Sequence, residues 1–265
     1  GNWQRRTRLN NTINVFHPRV REEMCAWLEN VSRGHRRDGR ILGYELVEEP
    51  ALRFDVSDRD SSVRAPRYGG YSMAARDGFR AYLQDRYGDI GTLNRKWGTS
   101  YEGLQEVRPP AALLRRKGEW EREEVALLVE FQRFRSGAHA QCFKKMVDAL
   151  HRGNPGRPVI PQFTTPVFGD PLGGVDLFRM GEAGWDIITF HTDTAYSYVY
   201  SIARYLHKPI WNDEYIWSNR AKREETGELQ IRAHAAIDLW RNVMWGARGF
   251  VLFNLDFAWD HPQDG

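Results

Sequence analysis

Apolar positions first fall into a helical rhythm in "HPRVREEMCAWLENVSRG". There Val20, Met24, Trp27, Leu28 and Val31 recur at helical spacing, Pro18 stands near the start and Gly34 past the end. "ILGYELV" then predicts a strand, closed by Pro50 after Glu48 and Glu49, and residues 51–70, rich in Asp, Ser, Arg, Pro and Gly, predict a long loop. A helix through "AARDGFRAYLQDRYG" follows, and "TLNRKWGTSYEGLQEVRPP" reads as irregular but ordered. The longest helical pattern runs from about Glu119 to His151, with Leu128, Phe131, Phe134, Met146, Val147 and Leu150 on or near one face. Gly153, Pro155 and Gly156 end it.

Strands and helices alternate from there: strand "PVIPQF", a loop with a short helix, strand "WDIITFHT", helix "YSYVYSIARYLH", strand "PIWNDEY", helix "ELQIRAHAAIDLWRNVMWG" and strand "GFVLFNL". This alternation implies right-handed crossovers and a parallel sheet buried on both faces, an α/β fold in a single domain. Every predicted strand ends on groups that are costly to bury. The first ends at Glu48 and Glu49, the next at Gln162 and Thr164, the third at His191 and Asp193, the fourth at Asn212, Asp213 and Glu214, and the last near Asn254, Asp256 and Trp259. In a parallel α/β fold those ends gather at one face, where ligands bind. An open sheet and a closed barrel both fit, but two strands that each finish on a glutamate favour the barrel, which brings both carboxylates across one pocket. Paired carboxylates suit glycoside hydrolysis, where one releases the sugar oxygen as an acid and the other attacks or activates water.

Composition narrows the picture further. A chain of 265 residues with 41% hydrophobic content carries a core and is not disordered. Its net charge is +3, and the excess arginines crowd into "QRRTR" and "RGHRRDGR" without a recognition motif, so nucleic acid is not an expected partner. Cys25 and Cys142 have neither metal-ligand spacing nor scaffold density and are expected to be two buried free thiols. No metal cluster is evident, and no apolar run approaches a membrane span. The compartment stays open between cytoplasmic and secreted, as does assembly into a homo-oligomer.

"GYELVEEP" resembles the "WELxNEP" strand of the clan A glycoside hydrolases, where the glutamate before proline is the acid/base at the end of the fourth barrel strand. "KPIWNDEY" resembles the clan's seventh strand, which carries the nucleophile. "FRAYLQDRYGDIGTLNRKWGTSY" is similar to the "F..WL...YG.i..LN..WGT.f" segment of the family 42 β-galactosidases, through Leu93, Asn94, Trp97, Gly98 and Thr99. The resemblance implies a (β/α)8 TIM barrel and a retaining, β-galactosidase-like glycosidase acting on an oligosaccharide or polysaccharide without a cofactor. It implies Glu49 as acid/base and Glu214 as nucleophile, with Glu48, His191, Asn212, Trp217 and Trp259 on the substrate side. Glu45 is read as support for Glu49, and Trp97 as structural.

Two departures from that pattern matter. Glu48 stands where the clan usually has asparagine; a carboxylate accepts from the sugar 2-hydroxyl but cannot donate an N–H bond to it. The chain also supplies only about strands four to eight, so it is expected to be part of a longer barrel, with an insertion at about 51–118 after the acid/base strand. An endo-acting clan A polysaccharide hydrolase and a non-catalytic carbohydrate-binding barrel are the alternatives.

Overall fold

The elements follow the expected order with one addition: α1 (Pro18–Gly34), β1 (Tyr44–Glu48), α2 (Met73–Tyr87), α3 (Ile90–Trp97), α4 (Arg122–Gly153), β2 (Val159–Thr164), α5 (Leu177–Gly181), β3 (Ile188–His191), α6 (Tyr196–Tyr205), β4 (Ile210–Tyr215), α7 (Glu228–Trp245) and β5 (Ala247–Leu252). They belong to a computed structural model that describes residues 14–48, 70–110, 121–164, 176–191, 196–215 and 228–252. The chain divides into two compact units, residues 1–30, 51–149 and 171–183 in one, and residues 31–50, 150–170 and 184–265 in the other.

In the first unit α2, α3 and the larger part of α4 pack through aromatic rings. Phe79, fully buried, meets Phe131 edge-on at 5.2 Å and Phe134 at 5.4 Å, and Phe16 stacks on Phe134 at 5.5 Å. Gly78 permits that approach, since a Cβ there would lie 3.2 Å from the Phe134 ring. Glu130, 4% exposed, is held by the Tyr82 hydroxyl at 2.6 Å, Arg86 at 2.9 Å and Arg133 at 2.8 Å. Burial works to raise its pKa, but these donors outweigh it and keep the carboxyl below its usual range.

Helix α3 corrects the expectation of irregular structure from Thr92 on, over residues 92–97. The Asp89 carboxylate caps it, accepting the Thr92 N–H at 2.8 Å, and Leu93 and Trp97, one turn apart, bury the same side. Gly98 ends it at φ 79°, a left-handed conformation that glycine adopts without a Cβ clash. Asn94 then ties down the turn: its amide donates to the Tyr101 carbonyl at 2.8 Å, and its oxygen accepts the Thr99 hydroxyl at 2.8 Å and the Tyr101 N–H at 3.1 Å. The Trp97 indole donates to the Tyr87 hydroxyl at 3.0 Å, so Trp97 is structural as expected. Cys142 is buried, but Cys25 is only half-buried, because it lies on the more exposed part of α1.

The second unit is the parallel sheet, with strand order β1-β2-β3-β4-β5. Its first strand starts later than the apolar run suggested: pairing begins at Tyr44, whose N–H reaches the Pro158 carbonyl at 2.8 Å. Asp186 fixes the start of β2 by accepting the Val159 N–H at 2.7 Å, and His151 lies 2.8 Å from the same carboxylate oxygen. Val159, Phe163, Trp185, Ile188, Phe190, Ile202 and Ile210 form the core of this unit. Among the described residues no helix is long and apolar enough to cross a membrane.

Candidate active site

Because the strands are parallel, Glu48, Thr164, His191, Tyr215 and Leu252 all finish at one edge of the sheet. The two faces are told apart by their contacts. Phe190 meets Tyr200 of α6 at 5.8 Å, Asn212 donates to the Asn242 side chain of α7 at 3.4 Å, and the Tyr44 hydroxyl donates to the Ser32 carbonyl of α1 at 3.3 Å. These residues therefore face the helices. Alternation turns the residues beside them, Glu45, Thr189, Trp211 and Asp213, to the opposite, inner face. Gln162 joins them, since Phe163 is the register partner of Phe190.

The inner face is polar at depth. Thr189 is fully buried, and Gln162 and Asp213 are 7% and 5% exposed. The Gln162 amide oxygen, the Thr189 hydroxyl and both Asp213 carboxyl oxygens have no hydrogen-bond partner among the described residues. Burial pushes the Asp213 carboxyl up to about 7, and the negative charge of Glu45 on β1 adds to the rise. The nearby Thr189 hydroxyl restrains it in part, without completing a hydrogen bond. Trp211 covers the same face beside Gly249 of β5; a Cβ on that glycine would lie 2.7 Å from the indole ring.

Of the residues singled out from the sequence, His191 and Glu214 are brought together as register partners on β3 and β4, and Glu48 on β1 pairs with Gln162 on β2. These three are placed by their backbone; their side chains lie outside the described set, as do Glu49, Trp217 and Trp259 altogether. Asn212, 1% exposed, turns to α7 and holds strand to helix. The buried, hydroxyl-bearing position at Thr189 escaped the sequence reading, although alternation within "ITFH" between two buried apolar residues was the signal for it.

The profile of glycoside hydrolase family 42, described as beta-galactosidase, matches residues 11–254. Beta-galactosidase BgaP of Planococcus sp. (strain L4) is 27% identical over 143 residues, 49% of this chain and 20% of that protein. The chain thus spans about a fifth of that relative. Among solved structures, beta-galactosidase from the psychrophilic Marinomonas ef1 aligns with a TM-score of 0.66 at 16% identity, over 91% of this chain and 38% of the other. An apo exo-carrageenase from Bacteroides ovatus aligns with a TM-score of 0.68 at 16% identity, over 91% of this chain and 35% of the other. The fold is that of the TIM barrel, with five parallel strands among the described residues. The chain belongs to glycoside hydrolase family 42, the beta-galactosidase family.

Proposed function

We infer that the protein is a retaining β-glycosidase of β-galactosidase type that works by double displacement. Glu214 attacks the anomeric carbon while Glu49 protonates the departing oxygen. Glu49 then takes a proton from the water that releases the sugar. Esterification removes the charge of Glu214, which favours the ionised form of Glu49 and suits its change from acid to base.

The observation that carries this reading is the strand order. The parallel strands β1 and β4 have two strands between them. Their ends thus stand three strand spacings apart, about 14 Å along the sheet at roughly 4.8 Å each. In this reading the two glutamates reach inward from those ends toward the roughly 5 to 5.5 Å carboxyl separation a retaining mechanism needs. In this reading His191, the register partner of Glu214, binds a sugar hydroxyl beside the nucleophile, Glu48 accepts from the 2-hydroxyl, and Trp217 and Trp259 stack on the sugar ring. Asn212 acts from behind, through its bond to Asn242.

Azide rescue of the intact protein tests the assignment on an aryl β-galactoside with a good leaving group. Glu49→Ala with azide is expected to give the β-galactosyl azide, and Glu214→Ala the inverted α-galactosyl azide. Near wild-type turnover by Glu214→Ala removes Glu214 from the scheme. Sugar binding by the wild-type protein without hydrolysis of any aryl glycoside supports the carbohydrate-binding barrel instead.

A further inference from the structure

The register between β3 and β4 slips just below the strand ends. Phe190 pairs with Asn212, but the next residue, His191, pairs with Glu214, which leaves Asp213 as the extra residue of a bulge. Bulges re-aim the side chains around them and recur beside active sites. Here the bulged residue carries a carboxyl group, 5% exposed, on the inner face and without a hydrogen bond among the described residues. Thr189 on the neighbouring strand has an equally unpartnered, fully buried hydroxyl, and Gln162, one strand further along, an unpartnered amide oxygen. Three such groups on three adjacent strands are costly to leave unsatisfied in a packed interior, and apolar side chains at these positions would remove the cost.

We propose that Asp213 is a positioning residue of the site: buried on the inner face as the extra residue of the β3–β4 bulge, it sets the path of the end of β4, and with it the backbone at Glu214. The inference rests on the retaining-glycosidase reading. Among the described residues the charged group that acts on Asp213 is Glu45 from β1; Thr189 from β3 and Trp211 on its own strand bring no charge. The carboxyl, raised to about 7, is protonated in mildly acidic solution. Above that range it ionises, which puts a buried negative charge in the field of Glu45 and next in sequence to Glu214, and loosens the bulge.

The test is the pH dependence of kcat and KM for an aryl β-galactoside, measured on the intact wild-type protein and on Asp213→Asn and Asp213→Ala. Glu49 as the acid sets an alkaline limb of its own; Asp213→Asn keeps the size and a donor but cannot ionise, so any further fall that Asp213 adds near neutrality is expected to be absent from this variant. Asp213→Ala is expected to lower kcat by on the order of 10- to 100-fold at mildly acidic pH, with KM little changed. Carboxyl carbon NMR is expected to show one aspartate titrating near neutrality in the wild type and missing from Asp213→Asn. Wild-type kcat in Asp213→Ala, or no such titrating aspartate, overturns the proposal. If the wild type turns over but Glu214→Ala does so equally well, Glu214 is not the nucleophile, and this inference falls with that assignment. If Glu214→Ala is inactive and Asp213→Ala keeps wild-type kcat, only the role of Asp213 falls.

Discussion

Replacing Asp213 by Asn should make the protein's stability less sensitive to pH, in a direction opposite to that of most carboxylates. The ordinary aspartate pKa is about 3.9, and burial with the field of Glu45 pushes Asp213 up to about 7. Below about pH 4 the group is neutral in both folded and unfolded chains and contributes no difference. As pH rises through this window the unfolded chain releases the proton while the folded chain keeps it, so unfolding is progressively favoured. Above about 7 the loss is complete. About three pKa units at 1.36 kcal/mol each give roughly 4 kcal/mol, less whatever relaxation around the ionised group recovers. Urea unfolding of wild type and Asp213→Asn at about pH 4.5 and pH 8 measures it, because all other titrations cancel in the comparison. The expected gain of Asp213→Asn over wild type between the two conditions is on the order of 1 M in midpoint. A difference between the two proteins that does not change with pH would refute a buried, neutral Asp213.

Other expectations follow from single contacts. Asn94→Ala removes one donor and two acceptor contacts at the end of α3; it should cost about 1–3 kcal/mol and speed hydrogen exchange of the Tyr101 amide well beyond that of Leu93. Gly249→Ala drives a methyl into the Trp211 indole, for about 1–3 kcal/mol of destabilisation in thermal unfolding, with a change in indole near-UV circular dichroism. The Cys142 thiol, raised to about 11 by burial, should resist iodoacetamide at pH 8 until the protein unfolds, whereas half-buried Cys25 should react first; mass mapping separates the two.

The sequence made the alternation of strands and helices, and hence the parallel sheet, legible because buried strands and amphipathic helices carry different apolar periods. The α3 helix was not read, since its apolar side is only Leu93 and Trp97 and the prolines downstream suggested a loop. Its capping residues, Asp89 before and Gly98 after, flank a run too short to show a helical period by itself. The family signature around Leu93–Thr99 is explained by this turn, where Asn94 holds the backbone and the Trp97 indole bonds the Tyr87 hydroxyl. The identity of the strand ends was legible, because acids and amides after apolar runs stand out. Which way Asn212 and Asp213 face was not, because that depends on the contact of Asn212 with Asn242 of α7 and on a register slip against β3. No pattern within "NDE" alone says that the asparagine turns to a helix and the aspartate to the interior.

The central claim is that Glu214 forms a covalent bond to the sugar. It is tested most directly by incubating the intact protein with an activated 2-deoxy-2-fluoro-β-galactoside and mapping the labelled peptide by fragment mass spectrometry, which separates Asp213 from Glu214 in the "NDE" run. The account predicts time-dependent inactivation with one fluorosugar on Glu214. A label on Asp213 or elsewhere, or β-galactoside hydrolysis that proceeds with inversion and leaves no label, would contradict it.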